Sequence, residues 1–72
     1  MSREGNLYYD SDIARMDVEF DNGVIGGLHC GDFLDAKIGD EWVPTRIEHS
    51  DDFGWYLVGI KDTFLPGLLV RI

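Results

Sequence analysis

His29 and Cys30 are the first residues whose types invite chemistry, because an imidazole beside a thiol can lower the thiol pKa and leave a thiolate nucleophile. Successive residues of a strand point to opposite faces, so the two side chains pair only if a turn at Gly31 distorts them. The expectation for Cys30 is therefore a small buried cysteine. His29 and His49, with Asp residues nearby, could in principle hold a metal. Their spacing matches no metal-binding pattern, and one Cys with two His cannot make a four-ligand zinc set, so both are read as surface histidines. No nucleophile and base pair, phosphate-binding glycine loop or metal set stands out. The chain is expected to be non-enzymatic and to use no cofactor.

Two other groupings have the residue types of a binding surface. Asp10, Asp12, Asp17, Glu19 and Asp21 are accompanied by a single base, Arg15. Such a run reads first as a solvated strand face. Alternatively, Asp17, Glu19 and Asp21 form a negative stripe that imitates the phosphate rows of nucleic acid and occupies the basic groove of a nucleic-acid-binding protein. The second grouping is aromatic. If Val43, Thr45 and Ile47 fill the core, then Trp42, Pro44 and Arg46 lie on the other face, where Tyr8, Tyr9 and Trp55 are expected to cluster with Trp42. Exposed Trp, Tyr and Arg dominate the energetics of protein interfaces. The alternative is that these rings cover a second small core beneath the N-terminal segment. The leading expectation is a module that binds a protein through an exposed aromatic face; an acidic nucleic-acid mimic is the competing one.

Strands must position these side chains. Residues 28–48 read as a turn at Gly31-Asp32, a strand with Leu34, Ala36 and Ile38 on one face, a tight Gly39-Asp40 corner, and a second strand with Val43, Thr45 and Ile47 inward. Upstream, Leu7-Tyr8-Tyr9 suits a short strand. Met16, Val18 and Phe20 then alternate with Arg15, Asp17, Glu19 and Asp21, which outweighs a helix capped by Ser11-Asp12. Asn22-Gly23 predicts a type I′ hairpin turn leading into Val24-Ile25, and Gly26-Gly27 a bend or bulge. Downstream, Trp55–Ile60 is apolar on both faces and is placed near the centre of the sheet. Residues 61–67 read as a connection with one turn of 3₁₀ helix near 63–67, and Leu68–Ile72 as the last strand. Pro44, which cannot donate to a ladder, is expected at an edge or bulge. The prediction is all-β: a small SH3-like barrel of about five to seven short antiparallel strands, forming one domain over residues 1–72.

Composition bounds the rest. A chain of 72 residues buries only about 60% of the surface its unfolded form exposes, so its stability margin is thin. With 44% hydrophobic residues it still has material for one core. A lone cysteine forms no internal disulfide, so packing must hold the fold. Fourteen acidic against six scattered basic residues give a net charge of −8, which argues against direct non-specific binding to nucleic acid. No basic patch precedes an apolar run at the N-terminus and no window approaches a membrane span, so the cytoplasm is the expected location.

Two resemblances follow. Leu28-x-x-Gly31-Asp32-x-Leu34-x-Ala36, the tight turn before Trp42, the Gly54 loop and Leu65-Pro66 resemble the diverging turn, central hairpin, groove tryptophan and terminal 3₁₀ turn of SH3 domains, over residues 28–72. There is no double tryptophan, so this resemblance implies the barrel rather than a polyproline site. The set Leu28–Asp32, Trp42–Glu48, Gly54–Gly59 and Gly67–Ile72 is similar to a family of small uncharacterised proteins carried by Gram-positive bacteria and their integrative elements, a domain of unknown function. That resemblance implies a bacterial mobile-element protein and brings no site residues.

Overall fold

The period-two pattern folds into seven strands: β1 (Glu4–Asp10), β2 (Arg15–Phe20), β3 (Gly23–Val24), β4 (Phe33–Ile38), β5 (Glu41–Ser50), β6 (Gly54–Leu57) and β7 (Leu69–Arg71). This computed structural model describes residues 3–61 and 63–72, among which there is no helix. One sheet runs in the order β3-β2-β1-β7-β4-β5-β6 with every pairing antiparallel. The all-β expectation holds. The expected closure does not: the ladder ends at β3 and β6, so the sheet is not a closed barrel. β3 is two residues long and Gly26-Gly27 then bulges out of the ladder, which leaves too little regular strand to join the ends.

The sheet nevertheless coils around one core. Val18 from β2, Leu7 from β1, Val70 from β7, Ala36 from β4, Ile47 from β5 and Leu57 from β6 form one buried cluster with Met16, Leu28 and Leu34. A flat single layer leaves one face wet, so strand twist must bring the two ends of the sheet over a shared interior. Between the neighbouring strands β1 and β2, Gly5 leaves no room for a side chain. A Cβ there would lie 2.6 Å from the Glu19 carbonyl oxygen and 2.7 Å from Val18 Cγ1.

Several expectations are corrected. Trp55–Leu57 lies on β6, at an edge rather than the centre. The centre is β7, only three residues long but hydrogen-bonded to strands on both sides. The β2–β3 hairpin pairs Phe20 with Gly23, so its two-residue loop is Asp21-Asn22, one residue earlier than a type I′ Asn22-Gly23 turn requires. Residues 63–67 hold no 3₁₀ helix. Leu68 N–H donates to the Leu65 carbonyl at 3.0 Å around Pro66-Gly67, and Gly67 at φ 90° makes this a type II turn. The predicted connection also includes Asp62, which lies outside the described residues. Pro44 meets its expectation: it faces Asp35 of β4 within β5, and its donor-free nitrogen is on the β6 side, where β6 pairs only with Ile47–Ser50 and leaves this stretch of β5 an open edge.

Candidate protein-binding face

The β4–β5–β7 register builds the outer face. Lys37 lies opposite Trp42, Asp35 opposite Pro44, and Phe33 opposite Arg46, while Arg71 of β7 lies on the other side of Asp35. Because Leu34, Ala36, Thr45, Ile47 and Val70 point inward and are buried, alternation turns this whole set outward. Trp42, Pro44 and Arg46 therefore share a face as expected.

Trp42 is not the bare indole the sequence suggested. The Arg71 guanidinium sits 4.4 Å from its ring centroid and the Lys37 ammonium 5.2 Å, leaving the ring half-buried. Arg71 Nε in turn donates to Asp35 Oδ2 at 2.9 Å, which holds the guanidinium over the ring. The most exposed apolar group on this face is Phe33, at 77%. Beside it, Arg46 Nε donates to Glu48 Oε2 at 3.0 Å. Phe33, Pro44, Arg46, Val58, Arg71 and Ile72 line an open groove of about 420 Å³. Three of the six bases, Lys37, Arg46 and Arg71, lie here with Asp35, Glu48 and Glu4, the β1 partner of Arg71, a charge-balanced face in a chain of net charge −8. Phe33, Val58 and Arg71 escaped the sequence reading. Phe33 was detectable, since it shares the parity of Asp35 and Lys37.

The other predicted aromatics go elsewhere, and neither a four-ring cluster nor a second small core forms. Tyr8 lies on β1, separated from β5 by β7 and β4. Its hydroxyl donates to Asp17 Oδ2 at 3.2 Å. Partial desolvation, followed by that hydrogen bond and the neighbouring charges of Asp17, Asp10 and Glu19, raises the phenol above its ordinary pKa of 10.0. Tyr9 is exposed and faces Met16. Trp55 pairs with His49, seven residues along β5 from Trp42, about 23 Å at strand rise. It points to the opposite face, packs against the core and meets the His49 ring edge-on at 4.9 Å.

The acidic stripe is also corrected. Glu19 and Asp21 are exposed, but Asp17 is 1% exposed. Ile25 and Leu28 donate their N–H groups to the Val18 and Met16 carbonyls, so the chain continues alongside β2 while Gly26-Gly27 bulges out between them. Asp17 fills that gap: Oδ1 accepts Val18 N–H at 2.7 Å, and both oxygens accept Gly26 N–H at 3.1 and 3.2 Å. The carboxylate completes a ladder, and its charge is not presented to a partner.

Cys30 is exposed, not buried. It lies in the turn where Asp32 N–H donates to the His29 carbonyl at 3.0 Å and His29 N–H to Asp32 Oδ2 at 2.8 Å, beyond the last buried side chain, Leu28. His29 and His49 are both on the surface. Among the described residues, no three His, Cys, Asp or Glu side chains come together to hold a metal ion.

A family model described as a domain of unknown function, DUF5348, matches residues 5–72, which takes in nearly all of the coiled sheet. The chain belongs to the DUF5348 family. That the family is uncharacterised agrees with the sequence reading. A crystal structure of a protein from Ruminococcus gnavus, a structural genomics target, is similar to this DUF5348 domain. The two share 51% identity with a TM-score of 0.89, over 97% of this chain and 100% of that one. No protein of curated function matches. Among the described residues, no helix of this DUF5348 domain is long and apolar enough to cross a membrane.

Proposed function

We propose that this DUF5348 domain is a non-enzymatic protein-interaction module that engages its partner through the outer face of β4, β5 and β7. The observation that carries this reading is Phe33, an almost fully exposed phenylalanine on an open groove with Arg46 and Arg71 beside it. Keeping such a ring in water forgoes about 2 kcal/mol of burial, which a partner that covers it recovers. Arg and aromatic anchors together supply both apolar contact and orientation. Trp42, clamped by Arg71 and Lys37, acts as a rigid floor at one end of the face. We place the module in the cytoplasm of a bacterium, encoded on a mobile element, in keeping with its sequence resemblance.

The test is affinity capture from the native host with the intact chain, Phe33→Ser and Arg46→Glu, each checked for an unchanged melting temperature. A partner retained by the intact chain and lost by both variants supports the reading. Equal capture by all three refutes it.

A further inference from the structure

The strand Gly54-Trp55-Tyr56-Leu57 forms the open edge of the sheet. Its hydrogen-bonding groups can be assigned from the ladder. The Ile47 N–H donates to the Asp32 carbonyl and its own carbonyl accepts from Gly31, so the Ile47 peptide groups face away from β6. Arg46, by contrast, accepts Val58 N–H at 3.1 Å. Bonded and non-bonded pairs alternate in an antiparallel ladder, so Glu48–Tyr56 and Ser50–Gly54 exchange bonds while Ile47–Leu57 and His49–Trp55 do not. The Trp55 and Leu57 peptide groups therefore point out of the sheet. The Leu57 carbonyl is used by Ile60 N–H at 3.1 Å. That leaves Trp55 N–H, Trp55 C=O and Leu57 N–H directed at the open side.

The two edges of the sheet are treated differently. β3 is two residues long and ends in the Asp17-capped bulge, devices that discourage pairing. β6 contains no proline, no lysine and no bulge. Phe53, Tyr56, Leu57, Ile60 and Lys61 line a groove of about 560 Å³ beside it. Ser50 of β5 and Gly59 also line it, so this groove lies at the turn end of the β5–β6 hairpin, over the Tyr56 side, and adjoins the free edge at Leu57. Phe53 stands at its end 81% exposed, next to exposed Asp51 and Asp52.

We infer that the β6 edge accepts an extended, basic segment of a partner protein as an added strand. Its main chain bonds Trp55 and Leu57, and an apolar side chain enters the groove beside Phe53 and Tyr56. This goes beyond the β4–β5–β7 face and is a separate site. Unpaired backbone groups select an occupant that has a backbone to offer, and apolar walls select alternate apolar side chains. Charge selects its sign. A net −8 repels a second copy of this chain and attracts Lys and Arg, and the exposed Asp51 and Asp52 lie in the turn that leads into β6.

The probe is a displayed library of random linear dodecapeptides panned against the intact chain, with the recovered peptides resynthesised. The inference expects peptides that alternate apolar with basic residues. N-methylation of single peptide amides should weaken binding about tenfold at every second residue and leave the intervening positions unaffected, as the loss of one strand hydrogen bond requires. At saturation the Trp55 and Leu57 amides should exchange more slowly, with Phe33 and Arg46 resonances unmoved. Trp55→Pro removes one outward donor without touching the β5 ladder, and it should bind more weakly. Tyr56→Lys should do the same through the groove while keeping the Trp55 side chain. Four outcomes overturn the inference: recovery of no peptide, tolerance of methylation at every position, shifts confined to Phe33 and Arg46, or a free chain already dimeric with its Trp55 amide protected. Shifts at Phe33 and Arg46 would leave the proposed function intact, so the two readings fail separately.

Discussion

Replacing Asp17 with alanine tests the claim that this carboxylate is a structural part of the sheet rather than a charge for a partner. Its two oxygens hold Val18 N–H, Gly26 N–H and the Tyr8 hydroxyl. Tyr8 is half-buried and can turn to water. Val18 is fully buried, and its N–H faces the gap left by the Gly26-Gly27 bulge, so alanine strands it without an acceptor. An unsatisfied buried donor costs about 1–3 kcal/mol, and the lost charge-assisted bond to Gly26 adds about 1.5 kcal/mol, for a total near 3 kcal/mol. A domain of this length has roughly 4–11 kcal/mol in hand, so the change removes a large share of it. The melting temperature should fall by about 12–24 °C. Asp17→Asn keeps the Oδ1 position that serves both amides and should cost only about 1 kcal/mol. Urea unfolding followed by circular dichroism measures both variants, and the Val18 and Gly26 amide resonances report whether the bulge persists. A loss below about 1 kcal/mol in Asp17→Ala, or equal losses in the two variants, refutes the reasoning.

Because the folded Tyr8 phenol has a raised pKa, the stability it contributes is complete below pH 10 and is lost as the pH climbs through the folded value. Tyr8→Phe should therefore flatten the fall in stability seen in the intact chain above pH 10, and an unchanged alkaline profile contradicts the assignment. Gly5→Ala drives a Cβ against the Glu19 backbone, where no side chain can yield, and should destabilise by about 1–3 kcal/mol in chemical unfolding. Trp42→Ala should cost under about 2 kcal/mol because the ring is only half-buried; a double-mutant cycle with Arg71→Ala should return a coupling of about 0.5–1 kcal/mol.

Much of the fold is written in alternation. Leu34, Ala36 and Ile38 against Asp35 and Lys37, and Thr45 and Ile47 against Pro44 and Arg46, fixed both the β4–β5 hairpin and the outward placement of Trp42, Pro44 and Arg46. Alternation cannot say where a strand sits in a sheet. Trp55–Ile60 looks central because both faces are apolar, yet β6 is an edge whose inward residues reach the core while Tyr56 stays wet. β7 looks like a trailing end yet lies at the centre, because its three residues pair on both sides.

Charge was misread for a related reason. Asp17 has the parity of an exposed residue, but a bulge nine residues downstream folds back onto it, and local periodicity holds no trace of that return. The aromatics failed as a group because a tryptophan's parity gives its face and not its cover. Arg71, from the far end of the chain, covers Trp42, whereas Phe33 on the same face stays exposed.

The central claim, that the chain works through the β4–β5–β7 face, is met most directly by in-cell photocrosslinking with a photoreactive phenylalanine analogue placed at Phe33 and, in a control, at Ile13. Both positions are exposed, so reactivity alone does not distinguish them. A discrete adduct from position 33 that Arg46→Glu abolishes, with none from position 13, is the predicted result. The same adducts from both positions, or none from position 33, would contradict it.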